Sequence, residues 1–355
     1  MNKVIYKDME KICEKHINCF SQLKDKSILL IGSTGNILSY MSEFLVALNL
    51  KYELGIKLYL HGRNLKNLKE KHSNILDKKD VFLINFDLIK EIPKKIHFDY
   101  IIHGASPAAT KFFLETPVDT ILPNVYGMKN VLDYARENIS TKVIFLSSVA
   151  IYGNVGVHEI RENDYGYINP LLERSSYSES KRLTEQLCVA YHRQYNVNVN
   201  IARIPYTYGL MYDLKNDNRA LPRFIKQILK NKDIEVFEDE ALLQYTYVAD
   251  VVSGLIYILL NGKPLPDGVY NISAKEQVNM YDMLKIMIEA IDTKSKIILK
   301  KDDYYFKNNK EINFSKINSD KLKSLGWKQM YDINTGLRQM MLGINENIKE
   351  KINEL

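Results

Sequence analysis

The chain has 355 residues, of which 46% are apolar and 26% charged, so it is long enough for about two domains of ordinary globular composition. Its 49 Lys and Arg outnumber its 43 Asp and Glu, but they are spread along the chain, which disfavours a nucleic-acid partner. The longest apolar run, residues 251–260, is too short to span a membrane. Three cysteines have neither a metal-binding nor a disulfide spacing. We therefore expect a soluble, cytoplasmic protein with reduced thiols and no metal site.

An N-terminal helical extension is predicted over residues 1–25, followed by a main domain over residues 26–204. The main domain alternates short β-branched segments with longer helical ones. Its predicted strands are 27–31, 57–60, 81–85, 100–103, 142–146 and 198–201, and its predicted helices are 38–50, 65–76, 120–138 and 178–195. This alternation predicts a doubly wound α/β fold, in which helices cover both faces of a parallel sheet and ligands bind beyond the carboxyl ends of the strands.

The alternation weakens after residue 204. Residues 205–243 and 263–330 are predicted to form a smaller substrate-binding lobe, with a helix at 221–230 and strands at 234–237 and 269–272. Residues 244–262 are expected to return to the main domain, and 331–355 to form a helical tail. The lobe would close over the edge of the sheet.

A glycine-containing turn joins the first strand to the first long helix, which is the context of a dinucleotide-binding fingerprint. Gly32 would permit the tight turn, and Gly35 would let the backbone approach a pyrophosphate. Leu38 stands where the fingerprint has its third glycine, so the motif departs where the helix packs on the strand. By itself, the turn also fits an α/β protein without a nucleotide. The residues predicted to hold the dinucleotide here are Gly32, Ser33, Thr34, Gly35, Asn36 and Ile37.

The end of the second strand bears on the choice between NAD and NADP. It reads His61-Gly62-Arg63-Asn64, without the acid that usually binds the ribose hydroxyls of NAD. Arg63, with Lys66, could instead bind a 2′-phosphate, although a solvated basic helix face is equally compatible. Asp87, after the third strand, could accept a hydrogen bond from the adenine or be an exposed turn residue. Both cofactors remain open.

Candidate catalytic residues follow later strands. Ser147 and Ser148 end one strand, and Tyr177 and Lys181 lie at positions i and i+4 of a helix, on one face. The ammonium is expected to depress the phenol pKa, so that Tyr177 can exchange a proton near neutral pH. Ser148 could orient a substrate alcohol or carbonyl between them.

With these motifs, the chain resembles the extended short-chain dehydrogenase/reductases of the nucleotide-sugar epimerase/dehydratase group. Its motifs are most similar to the UDP-glucuronate decarboxylase branch. They run from about Lys26 to Trp327 and include the glycine turn, His103-Gly104-Ala105-Ser106-Pro107, Asn124-Val125-Tyr126-Gly127, Tyr177 with Lys181, Arg203, Tyr247 with Asp250, and Leu325-Gly326-Trp327. The resemblance implies a Rossmann domain that holds NAD(H) or NADP(H), and a homodimer built from two helices of each subunit.

The resemblance also implies roles for individual residues. Ser148, Tyr177 and Lys181 would be catalytic, with Asn124 supporting the lysine. Further dinucleotide contacts would come from Arg63, Asp87, Leu88, Gly104, Ala105, Ser106, Tyr177 and Lys181. Contacts to a nucleoside diphosphate sugar would come from Ser106, Ser148, Arg174, Tyr206, Asn218, Arg219 and Arg223.

Two departures from the family pattern affect the expected reaction. Val149 and Ala150 stand where dehydratases carry an acid pair and decarboxylases a glutamate, which favours simple hydride transfer on a nucleotide-activated sugar, in surface polysaccharide or deoxysugar biosynthesis. Decarboxylation or dehydration with other acid–base residues, and a non-catalytic dinucleotide-binding protein, are the alternatives. Leu243 stands where relatives usually carry an arginine for the diphosphate, a role that Arg219, Arg223 or Lys226 could take.

Overall fold

The computed structural model describes residues 1–156, 158–217, 219–237, 242–300 and 316–353. Its centre is a seven-stranded sheet of order β11-β7-β5-β4-β1-β2-β3, in which every neighbouring pair is parallel. The strands are β1 (Ser27–Ile31), β2 (Lys57–His61), β3 (Val81–Ile84), β4 (Tyr100–His103), β5 (Lys142–Ser148), β6 (Glu159–Ile160), β7 (Val199–Ile204), β8 (Tyr206–Tyr208), β9 (Ile234–Phe237), β10 (Tyr245–Tyr247), β11 (Val269–Asn271), β12 (Ile297–Lys300) and β13 (Lys316–Ile317). The predicted doubly wound α/β class is confirmed.

Helices cover both faces of this sheet. They are α1 (Lys3–Phe20), α2 (Asn36–Tyr52), α3 (Leu65–Lys71), α4 (Thr110–Glu115), α5 (Pro117–Glu137), α6 (Ser175–Tyr195), α7 (Ala220–Leu229), α8 (Val248–Asn261), α9 (Met280–Glu289), α10 (Asp320–Lys323) and α11 (Ile333–Asn353). Within the described ranges, no helix combines the length and the hydropathy that crossing a membrane requires.

The first strand shows how the sequence divides the interior into two cores. All five of its residues are buried, and successive side chains of a strand point to opposite faces. Ile28 and Leu30 join the core formed with α1, α2 and α8, whereas Leu29 and Ile31 join the core formed with α5. A continuous apolar strand is therefore what this position in a two-sided sheet requires.

Most predicted bounds shift by a few residues, and one predicted strand lies in a different sheet. The helix α3 ends at Lys71 instead of residue 76, and β5 extends through Ser148. The strand predicted in the smaller lobe at 269–272 instead pairs with β7 at the edge of the main sheet. Ile201 donates a backbone hydrogen bond to Gly268 of this segment, and the strand is largely buried there. The chain thus returns to the sheet after α8.

The N-terminal helix α1 is fixed to the main domain by a buried acid. Asp8 is fully buried and accepts hydrogen bonds from the hydroxyls of Tyr40 (2.6 Å), Tyr247 (2.7 Å) and Tyr331 (2.6 Å). These tyrosines come from α2, β10 and the segment before α11. Burial raises the pKa of Asp8, and the three hydroxyls oppose that rise. One carboxyl therefore connects both terminal segments to the sheet-covering layer.

Candidate active site

The glycine turn lies against the backbone that follows β4. Gly32 has a φ of +87°, and a Cβ atom built there would stand 2.7 Å from both the N and the Cα of Ala105. A side chain is excluded by this close approach as well as by the left-handed backbone. Gly35 caps the amino end of α2, and the first turn of that helix carries no acidic residue. The turn therefore offers free backbone and a positive helix end to an anion.

The departure at Leu38 is accommodated by a second glycine. Leu38 is buried, and a Cβ atom added at Gly104 would stand 2.8 Å from the Leu38 Cδ1 atom. In the fingerprint, the third glycine of the helix leaves room for the neighbouring strand. Here Gly104, after β4, leaves the room that the Leu38 side chain needs. The turn keeps its shape because the Leu38 side chain occupies the volume that a side chain at position 104 would fill.

Two side chains of the predicted cofactor turn are bound by the protein itself. Ser33 is fully buried, donates to the carbonyl of His61 (3.1 Å) and lies 3.1 Å from the His72 Nε2 atom. The Asn36 Oδ1 atom accepts a hydrogen bond from the Met211 N–H. If these residues contact a phosphate as expected, Ser33 and Asn36 would do so through their backbone, whereas the Thr34 side chain is exposed.

The residues expected near the adenine have different surroundings. The Asp87 Oδ1 atom accepts a hydrogen bond from the Ile89 N–H, so this side chain caps its own turn. Leu88 is buried, and a Cβ atom at Gly127 would stand 2.8 Å from its Cδ2 atom. Leu88 is thus a core residue whose packing holds α5 against the loop after β3.

Ser148 and Tyr177 come together at the carboxyl end of β5. The Ser148 hydroxyl favours the phenolate and opposes the rise in pKa that burial imposes on Tyr177. The positive charge of Arg219 acts in the same direction as Ser148. The ring of Phe113, on α4, stacks on Tyr177 with centroids 4.7 Å apart and planes inclined by 19°. Burial dominates, so the pKa of Tyr177 is raised overall.

Lys181 lies one helical turn after Tyr177, with its Nζ atom 5.8 Å from the tyrosine ring centroid. The ammonium donates a hydrogen bond of 2.8 Å to the Leu146 carbonyl. Burial lowers the pKa of Lys181 to about 7, and the Glu185 carboxylate partly opposes this shift. The net pKa of Tyr177 is raised and not depressed as expected, because burial outweighs the groups that lower it. Burial also leaves Lys181 only partly charged at neutral pH, which weakens the effect that its ammonium can have on the phenol.

Asn124 contacts a neighbour of the lysine instead of the lysine itself. Its Nδ2 atom donates to the Thr120 carbonyl (2.9 Å) and to Ser180 Oγ (3.0 Å). Its Oδ1 atom is buried and has no hydrogen-bond partner in the described chain, and the same holds for both ring nitrogens of His103. Buried polar atoms without protein partners are suited to a polar ligand. Together with the side-chain-free cradle at Gly32, they fit a dinucleotide.

A buried ion pair supports the end of β5 from below. Arg203 contacts both carboxylate oxygens of Glu185, through Nε (3.1 Å) and Nη2 (2.8 Å), and also donates to Tyr152. Ser147 donates to the same carboxylate. Glu185 was missed in the sequence analysis, although its spacing of four from Lys181 places it on the same helix face. Phe113 was missed as well, and no motif marks it.

The residues predicted for the substrate are divided between two places. Arg219 lies near enough to Tyr177 to influence its pKa, and it pairs with Asp217 at 2.6 Å. Tyr206 is half exposed and packs on Tyr245, with ring centroids 5.7 Å apart. Arg223 lies instead at a cavity of about 500 Å³ between α7 and the pair β9–β12.

The other residues predicted to bind the substrate make few contacts or lie outside the described residues. Asn218 lies outside the described residues. Arg174 is exposed at the start of α6, and the Ser106 hydroxyl donates weakly to the Pro107 carbonyl (3.4 Å). Val149 and Ala150 form a 3-10 turn directly after Ser148, where the Ala150 N–H donates to Ser148 Oγ. No carboxylate of the described chain is among the groups that shift the pKa of Tyr177.

A parallel sheet of this order, with a glycine turn between its first strand and the following helix, is typical of a Rossmann dinucleotide-binding domain. The model of the NAD dependent epimerase/dehydratase family matches residues 28–273, and the chain belongs to this family. The predicted family, its enzymatic nature and its use of a nicotinamide dinucleotide are thereby confirmed.

Curated relatives and solved structures agree with this placement. UDP-glucuronic acid decarboxylase 1 of Xenopus tropicalis is 26% identical over 95% of this chain and 76% of its own length. UDP-glucuronic acid decarboxylase 3 of Arabidopsis thaliana is 31% identical over 74% of each chain. A Bacillus cereus UDP-glucuronic acid 4-epimerase, solved with UDP-glucuronic acid and NAD, matches with a TM-score of 0.72 at 19% identity, over 90% of this chain and 99% of that chain. This last likeness shows the fold.

Proposed function

We propose that the protein transfers hydride at C4 of a nucleotide-activated sugar, with Tyr177 as the general acid and base. The observation that carries this proposal is the convergence of Ser148, Tyr177 and Lys181 at the carboxyl edge of the sheet, beside the glycine turn. Retention of all three groups also argues against a protein that only binds a dinucleotide. The smaller lobe is assigned to the sugar nucleotide.

The dinucleotide, when bound, supplies the acceptor or donor of hydride. The backbone of residues 32–37 would hold its pyrophosphate, and Gly104, Ala105 and Ser106 would flank it. In the oxidative direction, Tyr177 as phenolate takes the proton of the C4 hydroxyl while the hydride leaves that carbon. Ser148 donates a hydrogen bond to the reacting oxygen, and charged Lys181 favours the phenolate. In the reductive direction, the phenol returns the proton to the carbonyl oxygen.

Recognition of the sugar nucleotide is assigned to the cations beside this centre. Arg219 lies close enough to Tyr177 to meet a diphosphate attached to the reacting sugar. The cavity at Arg223 has the volume of an ordinary small-molecule site and suits the nucleoside end. Leu243 cannot replace the arginine that the family resemblance implies at its position, so Arg219 would bind the diphosphate in its place.

The absence of an acid after Ser148 favours 4-epimerisation or net reduction or oxidation over dehydration. Elimination of water needs an acid and a base besides Tyr177, and Val149 and Ala150 supply neither. Decarboxylation is a second candidate, favoured by the relatives named UDP-glucuronic acid decarboxylases. Oxidation at C4 of a glucuronic acid gives a β-keto acid, which can lose carbon dioxide without that extra acid.

We also propose a cytoplasmic homodimer. The helices α5 and α6 pack together and expose Val118, Tyr126 and Leu183, which are large apolar side chains suited to a helical interface. All three cysteines are free, as a reducing compartment would keep them.

The experiment is a product analysis with the full chain. The protein is incubated with UDP-glucuronic acid, UDP-glucose or dTDP-glucose deuterated at C4, together with NAD⁺ or NADP⁺, and the products are identified by mass spectrometry and NMR. Retention of the sugar's mass with inversion at C4 supports an epimerase, and loss of carbon dioxide supports the second candidate. Loss of water contradicts the proposal, and so does the absence of both a changed sugar and deuterium transfer to the added dinucleotide with every one of these sugars. The Tyr177→Phe variant is the control for adventitious activity.

A further inference from the structure

We propose that the loop after β2 binds a 2′-phosphate through Arg63, so that the protein prefers NADP(H), although its family takes its name from NAD. This inference rests on the proposed function, because it requires a dinucleotide on the glycine turn. The features that carry it are the surroundings of His61, Gly62, Arg63 and Asn85.

No side chain at the end of β2 can bind the ribose hydroxyls of NAD in the usual way, through a carboxylate. His61, the last residue of the strand, is buried, and its Nε2 atom lies 3.0 Å from the Phe86 carbonyl oxygen. The ring centroids of His61 and Phe86 are 4.0 Å apart. Gly62 has no side chain. The Asn64 side-chain oxygen Oδ1 accepts a hydrogen bond from the Asn67 N–H and so caps the amino end of α3. The next side chain available to the ribose is that of Arg63.

Gly62 places this loop directly against the phosphate-binding turn. A Cβ atom built on Gly62 would stand 3.5 Å from Thr34 Cγ2 and 3.2 Å from Leu68 Cδ1. Arg63 is therefore one residue away from a point of contact with the glycine turn. A long guanidinium side chain starting there reaches the ribose end of a dinucleotide whose pyrophosphate lies on the turn.

A single amide fixes the backbone from which Arg63 extends. The Asn85 Nδ2 atom donates to the carbonyl oxygens of both Gly62 (2.6 Å) and Arg63 (2.9 Å). Both carbonyls therefore point towards Asn85, the residue that directly follows β3. A fixed backbone reduces the ordering cost of a side chain that must meet a ligand.

The charge at this loop is positive and is not neutralised. Arg63 is exposed, and no carboxylate of the described chain forms an ion pair with it. Its charge acts on His61, whose pKa is lowered first by burial and further by Arg63, so the imidazole is neutral. Lys66 is exposed one helical turn further on. A planar guanidinium binds a phosphate through two parallel hydrogen bonds, which suits a 2′-phosphate better than a ribose hydroxyl.

The test is a binding titration of the full chain by calorimetry, with NAD⁺, NADP⁺, 5′-AMP and 2′,5′-ADP. We expect NADP⁺ to bind at least about tenfold more tightly than NAD⁺, and 2′,5′-ADP more tightly than 5′-AMP. Arg63→Ala should weaken NADP⁺ by roughly tenfold or more and leave NAD⁺ unchanged. Gly62→Asp should reverse the preference, because its carboxylate would bind the ribose hydroxyls and repel the phosphate.

Lys24→Ala, at an exposed position before the amino end of β1, controls for a change of net charge. Tighter or equal binding of NAD⁺ to the unaltered protein overturns the inference and leaves the proposed function standing. Equal weakening of both dinucleotides by Arg63→Ala overturns it as well. Failure of every dinucleotide to bind overturns the inference and the proposed function together.

Discussion

The cofactor side and the substrate side of the sheet edge differ in how they absorb departures from the family pattern. On the cofactor side, the added volume of Leu38 meets the missing side chain of Gly104, and the turn keeps its geometry. On the substrate side, no carboxylate of the described chain is among the groups that shift the pKa of Tyr177, so the acid missing at Val149 and Ala150 is not replaced there. A dinucleotide is held largely by backbone and shape, whereas a sugar is distinguished by side-chain chemistry. The cofactor side of the sheet edge therefore defines the family, and the substrate side defines the reaction.

Tyr177→Phe would separate the two sides most strongly. The phenol hydroxyl that exchanges the proton is removed, while the ring that stacks on Phe113 remains. We expect kcat to fall by roughly 10²- to 10⁴-fold and dinucleotide affinity to stay within about twofold. Single-turnover kinetics and calorimetric titration measure the two quantities. Tyr281→Phe, at an exposed position in the first turn of α9, is the matched control. Undiminished turnover in Tyr177→Phe would show that another group is the acid and base.

Gly32→Ala would break the cofactor side by geometry alone. The new methyl group would overlap the backbone of Ala105 in addition to straining the left-handed backbone. We expect dinucleotide affinity to fall more than about tenfold, with a loss of several kcal/mol in the free energy of unfolding. Gly156→Ala is the control, because Gly156 has a φ of +71° and open space around it, so only strain of about 1 kcal/mol applies. Equal losses in the two variants would mean that the contact with Ala105 is unimportant.

Arg219→Gln would test the substrate side. Removing the cation beside Tyr177 should raise KM for a nucleotide sugar by about tenfold, since a charge-assisted contact to the diphosphate is lost. Dinucleotide affinity should not change. Steady-state kinetics of Arg219→Gln and of Arg193→Gln, an exposed arginine at the end of α6, provide the comparison. If both variants have the KM of the unaltered protein, Arg219 does not bind substrate.

The smallest effect concerns pH. The pKa of Lys181 is lowered to about 7 by burial, so its ammonium is lost as pH rises through neutrality. In the reductive direction Tyr177 acts as a phenol, and its raised pKa keeps it protonated there. We therefore expect kcat/KM to fall about fivefold between pH 7 and pH 8. Lys181→Arg keeps its charge over this range, so its profile should lose this alkaline limb. A flat profile for the unaltered protein would contradict the assignment.

The sheet was predictable because a parallel strand must be apolar on both faces, and this signal is local. The strands β1 and β4 were predicted at their observed bounds from that signal. The i, i+4 spacing likewise predicted that Tyr177 and Lys181 share a helix face. Residues 269–272 were assigned to the lobe because nothing in a short strand indicates which distant strand it joins. That information lies in β7, far away in the sequence.

The side-chain environments of the site were less predictable. Ser33 stands in a phosphate-binding motif, but its hydroxyl is directed to His61 because β2 passes directly behind the turn. The spacing of Lys181 predicts an ammonium on the same helix face as Tyr177. The burial that lowers the pKa of Lys181, however, depends on packing from several elements. Phe113 reaches Tyr177 from a short helix with no recognisable motif. Such properties come from three-dimensional neighbours and not from spacing.

The contact between Leu38 and Gly104 has an evolutionary consequence. The two positions share one volume, although 66 residues separate them along the chain. A descendant that replaced Gly104 with alanine would be selected against unless position 38 shrank first, and a reversion to glycine at 38 would open a cavity that a larger residue at 104 could fill. These two positions should therefore change together among relatives.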